Sequence, residues 1–260
     1  MGGFLQALFG SSAPRGPSEY YAWTVPGLNI EMVWISSGSF MMGSPVDEEG
    51  RSDGETLHNV KLTQGFWIGK FPLTQSQYEA FVGTNPSMSK LGGINSPVEK
   101  VSWNEANEYC AKLTTIERKA KRLPAGYVYA LPTETQWEYA CRAGSKGAYG
   151  GNGVLDDMGW HYDNSDIKSE HPVGQKRPND WNVYDMHGNV CEWCADWLAP
   201  YPKEDVVDPV GPREGTEKVL RGGSHCSISR YCRSAMRFGD FPGNRLDDLG
   251  FRIALRPMIY

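Results

Sequence analysis

The hydrophobic pattern of this chain switches to a helical period three times, each time behind the same polar signal. Thr74-x-x-Gln77 precedes Tyr78 and Phe81, Ser102-x-x-Glu105 precedes Ala106, Tyr109, Cys110 and Leu113, and Thr133-x-x-Gln136 precedes Trp137 and Ala140. A hydroxyl residue followed three positions later by Glu or Gln satisfies two orphan N–H groups at a helix start. The spacing predicts helices over about 75–82 and 103–119, and a third, shorter one beginning after 133. A period of two appears in HNVKLT from His58, where Val60 and Leu62 share a face; the histidine reads as structural. Residues 32–35 read as a strand, 36–39 as a turn, 40–42 as a second strand and Val219-Leu220 as a later one. The three helix starts differ in spacing and flanks, which fits one mixed domain rather than repeats.

Elsewhere the pattern is irregular. Residues 1–30 are rich in Gly, Pro and Ser and read as an N-terminal arm that packs, if at all, through Tyr20, Tyr21 and Trp23. A single domain then spans 31–260. Within it, 45–56 is an acidic loop, 144–170 a glycine-rich and then aspartate-rich loop, and 199–217 a loop with four Pro. Trp160 and Tyr162 are expected to be buried. Thirty Gly and 17 Pro imply many turns, so the nine Trp must supply core that longer aliphatic helices would otherwise provide.

A formal charge of −5 and the lack of a basic recognition helix exclude an electrostatic case for nucleic acid; ERKAKR at 117–122 reads as a solvated helix end. No run of 18 apolar residues marks a membrane span. MGGFLQALFG lacks a basic n-region and is too short for an ordinary signal peptide, so placement at the cell surface or outside the cell would rest on a signal removed from the chain. Six cysteines, at 110, 141, 191, 194, 226 and 232, are too sparse for a disulfide framework. They read as buried, unbridged thiols, with a disulfide or a metal role as the alternatives.

The stretch 171–197, HPVGQKRPNDWNVYDMHGNVCEWCADW, concentrates aromatic residues, turn formers and oxygen donors. Asp185, Asn189, Glu192 and Asp196 bring side-chain oxygens, and Gly188 lets backbone carbonyls turn inward, as a hard-cation site requires. The alternative is that these groups cap turns and satisfy buried backbone.

This run resembles the signature of the formylglycine-generating enzyme (sulfatase-modifying factor) superfamily. MVWISSGSFMMGS at 32–44, FWIGKFPLTQSQYEAF at 66–81, SPVEKVSWNEANEYCAKL at 96–113, ALPTETQWEYACRAG at 130–144, VLRGGS at 219–224 and LGFRIA at 249–254 resemble its other motifs, in order. The resemblance covers about 30–256 and implies an α+β, C-type-lectin-like fold, irregular, with short helices and small twisted antiparallel sheets. It also implies calcium bound by the His187, Gly188 and Val190 carbonyls and the Glu192 side chain, with Asn164 or Asp163 as contributors to a second site. Oxidases of the superfamily carry two cysteines after RGGS that bind copper. Here Cys232 matches the second and Ser227 the first, with Cys226 one residue away, so neither copper nor catalysis is expected. The superfamily's iron-dependent synthases use histidines from a further helical domain, and the five His of this chain show no H-x-x-x-H spacing.

RGGSHCSISRYCRSAMRFGDFPGNRLDDLGFRIAL resembles, in addition, the variable region of proteins diversified by retroelement-driven adenine mutagenesis. The frame is Arg221 to Ser224, Cys232 to Ala235, Arg237, Pro242, Arg245 and Gly250 to Arg252, within a candidate variable region of 221–252. Between its pieces lie His225, Cys226, Ser227, Ile228, Ser229, Arg230 and Tyr231, then Phe238, Gly239, Asp240 and Phe241, then Leu246, Asp247 and Asp248. None of these is Lys, Glu, Gln, Met or Trp, the types that a randomised AAC or AAT codon cannot produce; Met236 breaks the rule and reads as fixed scaffold. The aromatic residues would supply contact area and the charged ones specificity, as in a paratope; the alternative places Phe238 and Phe241 in the core. The reading is a ligand-binding protein for protein or cell-surface partners. A peptide-cysteine oxidase and a non-diversified structural or accessory protein are the alternatives.

Overall fold

The computed structural model of the chain describes residues 16–18, 21–89, 91–166 and 169–259. Its three longer helices start where the polar signals place them: α1 is Gln75–Val82, α2 Trp103–Lys119 and α3 Glu134–Arg142, and each has a complete capping box. α2 buries Ala106, Tyr109, Cys110 and Leu113, while α3 is buried throughout, with Trp137 and Ala140 fully so. At the end of α2, Arg118, Lys119 and Lys121 are exposed, but Glu117 is buried and takes both arms of Arg122, at 2.7 and 2.5 Å.

Four small sheets surround these helices. The largest is antiparallel, in the order Trp23–Val25, Ile30–Ile35, Phe66–Gly69, Ala254–Pro257 and Tyr127–Ala130. The described part of the N-terminal arm joins it: Trp23 pairs with Met32, the Trp23 indole N–H donates to the Tyr129 hydroxyl, and Trp67 donates to the Tyr21 carbonyl. Tyr20 lies outside the described residues. The strands expected at 32–35 and 40–42 exist as Ile30–Ile35 and Gly38–Met42 but enter different sheets. Gly38–Met42 pairs instead with His58–Leu62, whose His58, Val60 and Leu62 face inward. His58 is structural, with Nδ1 2.9 Å from the Thr56 carbonyl and its ring against Tyr201.

The third sheet carries the C-terminal region, in the order Arg237–Asp240, Lys218–Arg221, Cys191–Trp197 and Leu249–Gly250. Two parallel residues pairs, Gly159–Trp160 and His187–Gly188, form the fourth. Trp67, Tyr109, Trp193 and Phe251 anchor one core cluster, and Phe66, Trp137, Tyr139 and Val219 anchor a second. The described part of the loop at 144–170 contains a short helix, Leu155–Met158. Tyr162 corrects its expectation: it is 49% exposed, because its backbone N–H is tied to the Ser227 carbonyl and Trp160 alone turns back, stacking on His171. Among the described residues no helix is long and apolar enough to cross a membrane.

Candidate ligand-binding site

The segment from Arg221 to Arg252 alternates between buried arginines and surface turns. A guanidinium out of contact with water is tolerable only when its charge and its planar fork are matched. Each one here meets carboxylates from a distant part of the chain. Arg221 donates to Glu134 at 3.2 Å, to the Glu138 carboxylate and to the Ser234 and Ala235 carbonyls. Arg233 reaches Glu48 at 2.6 Å and both oxygens of Glu55 at 2.8 Å. Arg237 forks onto Glu134 at 2.8 and 2.6 Å, and Arg252 onto Glu192 at 2.7 and 2.7 Å. The acidic loop at 45–56 is thus a structural clamp, through Glu48 and Glu55.

The intervals between these anchors come out to the surface and meet one another. Ser224 Oγ donates to Asp248 at 2.8 Å and Cys226 Sγ lies 3.3 Å from the same oxygen, which joins the first interval to the third. Tyr231 and Phe238 pack edge to face, 5.4 Å apart, which joins the first to the second. The start of α2 holds the other two turns: Asn104 N–H donates to the Pro242 carbonyl and Lys100 N–H to the Leu246 carbonyl. Cys226, Ile228, Ser229, Arg230, Phe241, Leu246 and Asp247 are exposed; Ser227, Tyr231, Phe238, Asp240 and Asp248 are half-buried. Phe241 is exposed by 56%, so it is not a core residue, whereas Phe238 packs partly against the first core cluster.

One residue of the first interval faces inward. His225 is buried, with its N–H and its ring Nδ1 both directed at the Asn189 carbonyl. Gly239 is half-buried, and a Cβ there would meet the ends of the Leu198 and Glu217 side chains, at 2.6 Å from Leu198 Cδ2 and 2.9 Å from Glu217 Oε2. Asp240 and Asp248 also work internally: Asp240 accepts from Phe241 N–H and Asn244, and Asp248 receives the Ser224 and Cys226 contacts. Sequence reasoning missed two bracing groups, Tyr149, whose hydroxyl donates to the Ser229 carbonyl, and the Tyr162 N–H, which no local motif marks.

Residues 24–257 match the sulfatase-modifying factor enzyme 1-like domain family. The chain belongs to that family. It is 30% identical to a formylglycine-generating enzyme of Streptomyces coelicolor, over 85% of this chain and 88% of that enzyme. Treponema denticola variable protein 1 superposes with a TM-score of 0.78 at 29% identity, covering 91% of this chain and 99% of that one. PvdO from Pseudomonas aeruginosa does so with a TM-score of 0.77 at 26% identity, covering 92% and 99%.

Against that family background, the two-thiol arrangement expected of its oxidases is incomplete. Ser227 stands at one thiol position, with its hydroxyl oxygen accepting from Ser224 N–H at 3.0 Å and lying 3.2 Å from Ser224 Oγ. Burial pushes the Cys232 thiol up to about 12 and raises the Cys226 thiol as well. All six cysteines are free thiols; four are buried, Cys191 is half-buried and Cys226 is exposed. Among the described residues no group of three or more His, Cys, Asp or Glu is arranged to hold a metal ion.

The expected calcium ligands fit the ion only in part. Both Glu192 oxygens are engaged, by Arg252 and by the Trp137 indole N–H at 2.8 Å, so that carboxylate is already neutralised. The His187 ring faces the Cys232 carbonyl, and Gly188 and Val190 are buried in the same turn. Its one unmatched oxygen is Asp185 Oδ1, fully buried, on a carboxyl that burial pushes up to about 6. A cation on this turn would take Asp185 with the backbone carbonyls. Asn164 is committed to His161 N–H and the Gly159 carbonyl, and Asp163 lies 3.7 Å from His161.

Proposed function

We propose that this protein is a ligand-binding protein whose C-terminal surface is diversified, and that it recognises protein or cell-surface partners. The observation that carries the reading is the division of labour along 221–252. Four of the five arginines of the expected frame, Arg221, Arg233, Arg237 and Arg252, are anchored in buried or nearly buried ion pairs and the fifth, Arg245, pairs with Glu105 at the surface, while the intervals between them form one surface. Such a plan lets the intervals change without disturbing the fold. Similarity over nearly the full length of Treponema denticola variable protein 1 supports it. Ile228, Phe241 and Leu246 offer exposed apolar area, and Arg230 and Asp247 offer charge at the rim.

The test is a set of single changes, Ile228→Ala, Tyr231→Ala, Phe241→Ala and Asp247→Ala, in a chain used to capture partners from a fraction of candidate cell-surface proteins. Stability should change by less than about 1 kcal/mol at the exposed positions, as is usual for surface sites. At least two of the four should lose the captured partner, with losses of roughly 2 kcal/mol or more at an anchor. Capture that survives all four changes would leave a structural or accessory role in place of recognition.

A further inference from the structure

A second site lies on the other side of the acidic loop. Pro45 and Leu57 line a cleft of about 530 Å³ between the Gly38–Met42 strand and the end of α3, whereas Gly50 of the same loop packs against Arg230. The volume falls in the range that takes small ligands. Three aromatic side chains form its walls: Phe40 and Tyr139 stand 5.1 Å apart, and Trp181 meets Tyr139 edge to face at 4.8 Å.

The charged groups of the cleft are few and of one sign. Arg142 and Lys146 line it, and its lining includes no Asp or Glu, although the chain as a whole carries a charge of −5. Arg142 is spent on the wall itself, donating to Glu138 at 2.8 Å and to the Gly43 and Gly147 carbonyls at 2.6 and 3.2 Å. Lys146 is exposed and forms no ion pair among the described residues. Beside it, Ser145 Oγ is buried without a hydrogen-bond partner. A buried hydroxyl left unmatched costs free energy, and so does a ring wall left open to water.

We propose that this cleft binds a small aromatic anion, its flat ring against the wall made by Phe40, Tyr139 and Trp181 and its carboxylate or sulfonate at Lys146. The walls are built before any ligand arrives, because Tyr139 belongs to the second core cluster, Phe40 and Trp181 pack against it, and Arg142 ties the end of the strand, at the Gly43 carbonyl, to α3. The rings select a planar apolar body. The lysine, with no competing carboxylate, selects its charge.

The probes are anilinonaphthalene sulfonate and its uncharged relative N-phenyl-1-naphthylamine, titrated by fluorescence into the full chain, with 2-naphthoate as competitor. Saturable binding at one site per chain, displaced by 2-naphthoate, is expected. Lys146→Ala, an exposed change that leaves the core intact, should weaken the sulfonate roughly fivefold and the uncharged dye by less than about twofold. Phe40→Ser should weaken both dyes, and Phe241→Ala neither. Equal binding of the sulfonate by wild type and Lys146→Ala would overturn the proposal, as would loss of the dye in Phe241→Ala, which would place it on the C-terminal surface.

Discussion

Arg230 and Arg233 are three residues apart and have opposite fates. Arg230 is exposed and leans on the Tyr231 ring, 4.8 Å from its centroid, with one N–H to the tyrosine hydroxyl. Arg233 is buried and forked onto Glu48 and Glu55. Removing one member of a buried pair strands the other charge, so Arg233→Ala should cost about 3–5 kcal/mol in equilibrium denaturation, whereas Arg230→Ala should stay within about 0.5 kcal/mol. Similar losses from the two would undo the distinction between frame and interval. The frame was legible in the sequence through its resemblance to a known variable region, but the partners of its arginines were not. Nothing in PVDEEGRSDGET marks Glu48 and Glu55 as different from solvated acids, since burial depends on where the loop folds back. The burial of His225 was not legible for a related reason: position in an interval says nothing about which face of the backbone a residue occupies.

At the scale of elements, the three capping boxes made the helix starts readable, because a cap is a local hydrogen-bond pattern that sequence states directly. Strand pairing was not readable in the same way. Short strands at 30–35 and 38–42 look like a hairpin and yet join separate sheets, a choice set by long-range packing. Asp196, on the strand Cys191–Trp197, shows what that packing does to chemistry. It accepts the first N–H of α3, from Glu134, at 2.8 Å, but burial, then the Glu134 carboxylate, push its carboxyl from 3.8 up to about 7. A carboxyl raised in the folded state holds its proton better than in the unfolded chain, so its contribution to stability is lost as pH climbs through about 4 to 7. Asp196→Asn keeps the acceptor and removes the charge. Its stability relative to wild type should therefore rise by about 2–3 kcal/mol between pH 5 and pH 8 in denaturant titrations. A pH-independent difference would show that Asp196 titrates as it does in water.

For the molecule as a whole, the family's fold persists while one of its chemistries lacks a component. Ser227 stands at one of the two thiol positions, Cys232 is buried at the other, and the exposed thiol of Cys226 is one residue out of place. Incubation with copper, reductant, oxygen and a cysteine peptide of the sulfatase type should leave the peptide mass unchanged; stoichiometric conversion to the aldehyde would restore the oxidase reading. What the fold offers instead is a rigid platform, with arginines buried beneath exposed turns. The most direct measurement is deep sequencing of codons 221–252 from many independent isolates of the source population. Substitutions should concentrate in the codons for Cys226 to Tyr231, Phe241 and Leu246 to Asp247, trace to adenines in a nearby template copy, and spare Arg221, Arg233, Arg237 and Arg252. Invariant codons, or changes spread evenly over frame and intervals, would contradict a diversified recognition surface.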